Sequence, residues 1–369
     1  MKQFVCKPFI HMFSTCSAFL SEFNVCEDDI IVSNAYIFRP AFEHLGCRAQ
    51  TLFLEDYGQG EPSDIMVDAL LASAATRTFR RIIAIGGGSV IDVAKLLAVA
   101  PVGSNTDSLF TEKNLRQEKE LIILPTTCGT GSEVTNIAIV NRTRLGTKMG
   151  IADDSLYARH AVLVPELLEN LPYPVFATSS LDALVHAVES FLSPAASPFT
   201  RMFAKEAIHL ILNGYDKIRR DKGCLKKQLS DFLLASTYAG LSFGVAGCAT
   251  VHALSYPLGA LFHIPHGESN YAVFSGVLRH YEKRNAKDFS SLLTILALGL
   301  SCSPKETLDA LDDILQAIYP RKRLSEYGMA AIQIKNFAET VLHTQQRLLV
   351  NSPEKISAAD ICAIYADLL

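Results

Sequence analysis

The sequence predicts an α/β dinucleotide-binding domain followed by an all-helical domain, and two observations lead to that division. In the first half, short apolar runs alternate with helical patterns, which is typical of a parallel sheet covered by helices on both faces. From about Pro165 onward, the apolar spacing is helical and the strand patterns fade. We therefore predict an α/β domain over residues 1–165 and an all-helical domain over residues 166–369, and 369 residues are enough for both.

The predicted elements of the first domain follow from its apolar runs and its turn residues. Ser63 precedes an apolar helical pattern and is the type of residue that caps a helix. A strand at 81–85 runs into a glycine turn and then a helix at 90–100. The tail, residues 354–369, has the pattern of a surface helix. The predicted strands cover residues 29–34, 51–54, 81–85 and 121–124.

Charge, apolar runs and cysteine spacing indicate which partners and which compartment to expect. The formal net charge is −4 and there is no basic block, so the sequence predicts no nucleic-acid partner. No uninterrupted apolar run reaches membrane-spanning length, so no membrane partner is expected. The nine cysteines are scattered and form no CxxC pair, which favours free thiols in a reducing cytoplasm over a disulfide framework.

A glycine turn, Gly86-Gly87-Gly88-Ser89, stands between a predicted strand and the helix that carries Asp92. Glycines allow close approach of the backbone to a pyrophosphate, and the helix N-terminus offers N–H groups and a favourable dipole. The turn is not the GxGxxG fingerprint, and an ordinary tight turn explains it equally well.

A second loop, residues 126–133 (TTCGTGSE), also follows a predicted strand and is rich in hydroxyl groups and glycines. A hydroxyl-rich flexible turn is the plain alternative. Both loops, however, would lie at the carboxyl ends of parallel strands, on the edge where open α/β sheets bind ligands. Together they predict a ligand site more strongly than either does alone.

A metal site is predicted from four side chains in the second half. Asp182 and His186 are four residues apart in a helical pattern without Gly or Pro, so both side chains share one face. Taken alone, this pair is better explained as an acid beside a core histidine. His252 and His266 change that balance, because one Asp and three His suit a divalent transition metal such as Fe²⁺ or Zn²⁺.

Four stretches of the sequence form a recognisable set. They are GGGSVIDVAK at 86–95, PTTCGTGSE at 125–133, DALVHAVES at 182–190 and HALSYPLGA…HIPHGESN within 252–270. In this order and spacing, they resemble the iron-containing (group III) alcohol dehydrogenase family. The resemblance covers essentially the whole chain and implies the dehydroquinate synthase-like fold of that family, with an α/β domain before an all-α domain.

The resemblance also implies cofactors and the residues that bind them. It implies NAD as cofactor and Fe²⁺ as metal, and the same ligand set accommodates Zn²⁺. The implied metal ligands are Asp182, His186, His252 and His266. The implied cofactor contacts are Gly87, Gly88, Ser89, Asp92, Thr126, Thr127, Thr130, Ser132 and Lys148.

This chain departs from the family pattern at three positions. Many members have a second histidine four residues after the third metal ligand, thought to relay a proton; here it is Tyr256, so Tyr256, His263 or water is the relay. Where many members have an Asp that favours NAD over NADP, this chain has Asn34, so NADP also stays open as cofactor. Glu61 replaces an Asn that is frequent in a turn of the family.

The resemblance implies hydride transfer between NAD(H) and a primary alcohol or aldehyde in a homodimer acting on a small molecule. Stretches at 60–64, 156–166, 251–259 and 345–351 resemble members that act on 4-hydroxybutyrate and succinic semialdehyde. Such a substrate needs a cation for its carboxylate, and Arg347, or less favourably Arg279, is the candidate. Three alternatives remain: a dehydrogenase for another small alcohol, a metal- and NAD-dependent lyase of the dehydroquinate synthase type, and a non-catalytic metal or nucleotide binder descended from the enzyme.

Overall fold

The structure, a computed structural model, describes residues 4–369 and divides into two compact units. The α/β unit spans residues 6–171, and the helical unit comprises residues 172–369 together with Phe4 and Val5. The boundary therefore lies six residues beyond the predicted 165. A 3-10 helix, Pro165–Leu168, belongs to the α/β unit because Glu166 accepts a hydrogen bond from the backbone N–H of Cys16 at 2.6 Å.

A six-stranded parallel sheet forms the centre of the α/β unit, in the order β1-β8-β5-β4-β2-β3. The predicted strands are present with ends shifted by one residue or less. The sequence analysis did not predict β1, β8 or the separate antiparallel hairpin of β6 and β7. The strands within residues 4–369 are β1 Phe9–Met12, β2 Asp29–Ser33, β3 Gln50–Phe53, β4 Arg81–Gly86, β5 Glu120–Pro125, β6 Ile137–Arg142, β7 Thr147–Ala152 and β8 His160–Leu163.

Both faces of this sheet are buried, as the continuous apolar strands require. Alternate residues of β4 enter different cores: Ile82 and Ala84 join one cluster, and Ile83 and Ile85 join the other. Helices α3, α4 and α5 and the hairpin cover the first face, while α1 and α2 cover the second. These helices are α1 Cys16–Glu22, α2 Ala35–Phe42, α3 Asp64–Ala75, α4 Gly88–Val99 and α5 Thr106–Thr111.

The helical unit is built around α6, which is buried continuously from Ser180 to Leu192. No strand occurs between residues 172 and 369, as the sequence predicts. The C-terminal helix was predicted to be a surface helix, but one of its faces is buried through Ile361, Ile364 and Tyr365. The helices are α6 Tyr173–Leu192, α7 Pro198–Arg220, α8 Leu225–Ala246, α9 Thr250–Phe262, α10 His266–Lys283, α11 Phe289–Leu300, α12 Thr307–Ile318, α13 Ile334–Thr344, α14 Gln346–Leu349 and α15 Ala358–Leu368.

Two helical segments of this unit have the length and hydropathy of a membrane span, Tyr173–Leu192 and Lys222–Ala246. Within the protein, 83% and 61% of their apolar windows are buried. Burial against neighbouring helices accounts for their apolar composition, as expected of core helices.

Candidate metal centre and nucleotide site

The two ligand-binding loops predicted from the sequence meet at the carboxyl edge of the sheet. A Cβ at Gly87 would lie 3.4 Å from Thr127 Cγ2, and one at Gly88 would lie 3.1 Å from Thr130 Cγ2. Glycine at both positions thus lets the loop after β4 approach the loop after β5. Gly87 is the N-cap of α4 and makes no side-chain cap, so the first N–H groups of this helix are open to an anion.

Strand order points to the same edge of the sheet as the place where this class of fold binds ligands. From β2 the chain moves outward to β3, whereas from β4 it moves in the opposite direction to β5. In an open parallel sheet, ligands bind outside the carboxyl ends of the two strands where this direction changes, which here are β2 and β4. Gly87, Gly88 and Ser89 follow β4, and Asn34 follows β2.

Two other predicted cofactor residues have protein partners of their own. Asp92 is buried on α4, and its Oδ2 accepts a hydrogen bond from Ile139 N at 3.0 Å, while Oδ1 has no partner within residues 4–369. Burial raises the pKa of Asp92 to about 6, against the opposing effect of Lys95. Lys148 lies on β7 of the hairpin and forms an ion pair with Glu61 at 2.5 Å, so the Glu61 departure supplies its partner.

Asp182 and His186 lie one turn apart on α6, as the four-residue spacing predicts, and the structure buries both of them. His186 stacks on Phe243 with a ring-centroid separation of 4.1 Å. Burial raises the pKa of Asp182, but His186, His266, His252 and Asn270 together outweigh it and hold that pKa below its ordinary value. The carboxylate therefore stays ionised, which is the form that binds a metal.

The other two histidines come from the beginnings of two helices, His252 on α9 and His266 as the first residue of α10. Gly267 explains how α10 reaches α6: a Cβ at this position would lie 2.3 Å from the backbone oxygen of Thr178. The absence of a side chain lets the two helices touch there and brings His266 toward Asp182.

The four side chains converge on one point. Ligand atoms of Asp182, His186, His252 and His266 all lie within 4.8 Å of one another. The Nε2 atoms of His186 and His252 are 3.0 Å apart, and His266 Nε2 is 3.7 Å from Asp182 Oδ1. Donors around a tetrahedral ion with bonds near 2.1 Å are separated by about 3.4 Å. Both the donor set and its spacing fit a divalent transition metal.

Two residues that the sequence analysis did not single out hold this cluster in place. The Asn270 amide NH₂ donates to Asp182 Oδ1 at 2.7 Å, and the Ser255 hydroxyl donates to the amide oxygen of Asn270. Glu189, buried on α6, lies 2.7 Å from His252 Nδ1. Because a carboxylate only accepts, His252 carries its proton on Nδ1 and presents a lone pair on Nε2 to the cluster.

Glu189 also fixes the start of α9, since its two oxygens accept hydrogen bonds from the backbone N–H groups of Ala249 and Val251 at 2.9 and 2.5 Å. Cys248 lies close enough to Glu189 and His252 to form a second group of ligand types. Burial raises the pKa of the Cys248 thiol, and both Glu189 oxygens are already occupied. This group therefore supports His252 rather than a second ion.

The two predicted relay groups have different environments. The Tyr256 ring lies 6.3 Å from His252 and 5.8 Å from His266, centroid to centroid. Burial raises the pKa of Tyr256, while the charges of His252 and Arg347 oppose that rise. His263 is exposed at the C-terminus of α9.

Comparison with known protein families agrees with this geometry. The profile described as iron-containing alcohol dehydrogenase matches residues 14–165, and the profile for the C-terminal part of the Fe-containing alcohol dehydrogenase family matches residues 176–369. The chain belongs to the iron-containing alcohol dehydrogenase family. It is 44% identical to the 4-hydroxybutyrate dehydrogenase of Clostridium kluyveri, over 100% of both chains. It is 37% identical to long-chain-alcohol dehydrogenase 1 of Geobacillus thermodenitrificans, over 80% of this chain and 76% of that one.

Solved structures show the same fold. The sulfoacetaldehyde reductase of Bifidobacterium kashiwanohense, in complex with NAD⁺, aligns over 100% of this chain and 98% of its own with a TM-score of 0.87 at 24% identity. The iron-containing alcohol dehydrogenase of Thermococcus thioreducens aligns over 99% of each chain with a TM-score of 0.85 at 24% identity. These matches confirm the predicted fold class, and the family assignment favours the dehydrogenase over the lyase alternative.

Proposed function

We propose that this family member interconverts 4-hydroxybutyrate and succinic semialdehyde, with NAD(H) as hydride carrier and Fe²⁺ at the cluster of Asp182, His186, His252 and His266. The observation that carries the substrate assignment is the 44% identity to a 4-hydroxybutyrate dehydrogenase across the full length of both chains. Zn²⁺ fits the same ligands.

The roles of the residues follow from their chemistry. A divalent ion held by Asp182, His186, His252 and His266 would supply Lewis acidity toward the alcohol or aldehyde oxygen, and bound NAD(H) would supply the hydride chemistry. Asp182 lowers the net charge of the site, and Glu189 and Asn270 hold the ligands in position. Tyr256 moves the substrate hydroxyl proton toward solvent. The loops after β4 and β5 bind the nucleotide through Gly87, Gly88, Ser89, Asp92, Thr126, Thr127, Thr130 and Ser132, with Asn34 and Lys148 at its periphery.

A carboxylate on the substrate calls for a cation near the metal centre, and Arg347 on α14 is the side chain that we assign. Its charge acts on the Tyr256 phenol, which lies beside two of the metal ligands. Asn351, at the end of the same short segment, donates to the backbone oxygen of Cys248 at 2.9 Å and ties the segment to the start of α9. Arg347 has no ion pair among residues 4–369, whereas Arg279 is paired with Asp309 and Asp312 at 2.9 and 2.6 Å.

The experiment that tests this function is anaerobic NADH oxidation by metal-stripped enzyme reloaded with Fe²⁺ or Zn²⁺. Succinic semialdehyde is the substrate, and butyraldehyde and NADPH are the comparators. Metal-dependent turnover with a strong preference for the semialdehyde is expected. Turnover of butyraldehyde alone would assign another small alcohol as substrate, and no turnover with either metal would overturn the dehydrogenase assignment.

A homodimer is the assembly that we propose, through the edge strand β1. This strand pairs only with β8 in residues 4–369, and Phe9, Ile10 and Met12 are 58%, 40% and 53% exposed. An unpaired apolar edge is suited to pairing with a second copy around a two-fold axis. Light scattering after size exclusion should show a dimer that Ile10→Lys converts to monomer. Val102→Lys, at an apolar position that is 88% exposed elsewhere, should leave the dimer intact.

The compartment that we propose is the cytoplasm. All nine cysteines are free thiols, which is the usual state in a reducing compartment. Cell fractionation should recover the protein with cytoplasmic markers, and recovery with an oxidising compartment would contradict this placement.

A further inference from the structure

An acidic side chain lies next to Asn34, at the position that distinguishes NAD from NADP, although it comes from a distant part of the sequence. In doubly wound dinucleotide folds, an Asp or Glu near the end of the second strand binds the adenosine ribose of NAD. Asn34 follows β2 here and is neutral. The strand next to β2 is β3, and the short 3-10 helix after it, Leu54–Asp56, carries Glu55.

Glu55 lies directly against Asn34. Its Oε2 accepts a hydrogen bond from the Asn34 amide at 2.8 Å, and its Oε1 accepts one from the backbone N–H of Ala35 at 2.7 Å. The Asn34 side chain does not cap α2, so Glu55 satisfies the first N–H of that helix in its place. A carboxylate has about four acceptor positions, and two remain for ribose hydroxyls.

This carboxylate is also in the right part of the sheet. The residue before Asn34, Ser33, donates through its hydroxyl to the backbone oxygen of Ile85 at 2.6 Å, which ties the end of β2 to the end of β4. Gly86-Gly87-Gly88 follows immediately. The acid therefore lies beside the two strand ends that the fold uses for a nucleotide.

We infer that Glu55, held by Asn34 and Ala35, is the residue that makes this site select NAD(H) over NADP(H). An ionised carboxylate accepts hydrogen bonds from ribose hydroxyls and repels a 2′-phosphate. The pair of Asn34 and Glu55 replaces the single Asp that the sequence lacks at position 34. The inference rests on the proposed use of NAD(H) and adds the residue that sets its selectivity.

One basic side chain on α2, Arg39, is of the type that favours NADP(H) over NAD(H). Arg39 lies on α2, and its guanidinium is 5.8 Å from the centre of the Phe53 ring, on the strand before Glu55. An arginine near the ribose is the feature that accommodates a 2′-phosphate in other dinucleotide sites. Within the described residues, Arg39 forms no ion pair with Glu55, so the carboxylate keeps its charge free to act on the nucleotide.

The test measures direct binding of NADH and of NADPH to the full-length protein, with nucleotide fluorescence as the readout. Wild type should bind NADH at least about tenfold more tightly than NADPH. Glu55→Gln keeps an acceptor for Ala35 but removes the charge, so NADPH affinity should rise at least about tenfold while NADH affinity falls only a few-fold. Asp56→Asn makes the same charge change one residue away and should leave the ratio of the two affinities unchanged.

Two results would overturn the inference: equal affinity of wild type for both nucleotides, or a Glu55→Gln variant that melts at lower temperature with an unchanged ratio. The second would assign Glu55 to capping α2 alone. Nucleotide binding requires no alcohol, so this readout is separate from turnover. If Glu55 selects NADH but the protein reduces no aldehyde, the proposed function is wrong and this inference stands. If the protein turns over the semialdehyde but Glu55→Gln leaves the ratio of NADH to NADPH affinity unchanged, the proposed function stands and this inference is wrong.

Discussion

The ring of Tyr256 lies 5.8 Å from the ring of His266, centroid to centroid, and occupies the position one helical turn after His252. A phenol thus borders the metal centre where many family members have a histidine. Because the phenol hydroxyl can donate and accept a proton, Tyr256 can replace that histidine as the group that relays the proton of the substrate alcohol.

Replacing Tyr256 with Phe should lower kcat at least about tenfold, because positioned proton transfer contributes roughly 10²–10⁴ to a rate. The metal content should not change, since the hydroxyl is not one of the four ligands. The measurement is steady-state kcat over a range of pH, with metal analysis of the same sample. His263→Gln is the matched control and should retain kcat within about twofold. Loss of activity in His263→Gln with full activity in Tyr256→Phe would reverse the assignment.

The metal cluster was accessible from the sequence because two of its ligands are local. Asp182 and His186 are four residues apart on a helix, and their common face follows from helix geometry alone. His252 and His266 were predicted from their residue type and motifs, and Gly267 explains in the structure why His266 reaches α6. Glu189 was missed because its bond to His252 joins residues 63 apart and its other partners are backbone N–H groups, which no side-chain pattern displays.

The nucleotide site shows the same limit. The glycine turn and the hydroxyl-rich loop each follow a strand in sequence, and both were predicted. The acid beside Asn34 was missed because Glu55 follows the neighbouring strand, 21 residues later, and adjacency across a sheet depends on strand order. The hairpin of β6 and β7 was missed for a different reason, because β7 is largely exposed and lacks the continuous apolar pattern of the parallel strands.

Glu189→Gln should weaken metal binding by about 10–100-fold, the range found when a carboxylate that orients a metal-binding histidine is removed. The neutral amide polarises His252 less and places an NH₂ group near backbone donors. We would measure the Kd for Co²⁺ or Fe²⁺ by competition with a chelator, and the melting temperature separately. Ser190→Ala is the control, because Ser190 is the next residue of α6 and bonds instead to Ser242 at 2.7 Å. A lower melting temperature with an unchanged Kd would limit Glu189 to holding the start of α9.

Acid stability should depend on Asp29, the first residue of β2. Its carboxylate accepts from Arg81 at 2.7 Å, and Arg81 begins the neighbouring strand β4 in register with it. Burial raises the pKa of Asp29, but hydrogen bonds from Arg81, Cys26 N and Arg80 outweigh it, so the pKa in the folded protein is below the ordinary 3.8. The folded state therefore holds this proton more weakly than the unfolded state, and the stabilisation is present above pH 3.8 and lost as the pH falls below it.

The variant Asp29→Asn should lower the free energy of unfolding at pH 7 by roughly 2 kcal/mol, since it removes the ionised acceptor of the largely buried Arg81 guanidinium. The difference from wild type should shrink as the pH is lowered through 4 toward 3. Urea unfolding of both proteins across this range measures it. Asp28→Asn, at the exposed neighbouring position, should change stability little at any pH. A difference that stays constant with pH would show that the carboxylate charge is not the cause.

Arg347 gives the sharpest test of the substrate, because its effect depends on the substrate carboxylate. A hydrogen-bonded charge pair contributes roughly 1.5–3 kcal/mol, so Arg347→Ala should raise KM for succinic semialdehyde about 10–100-fold. The KM for butyraldehyde, which has no carboxylate, should change less than about threefold. Arg279→Ala removes an equal charge from a side chain already paired with Asp309 and Asp312, and it should alter neither KM. Equal increases for both aldehydes in Arg347→Ala would remove Arg347 from carboxylate recognition while leaving the dehydrogenase chemistry in place.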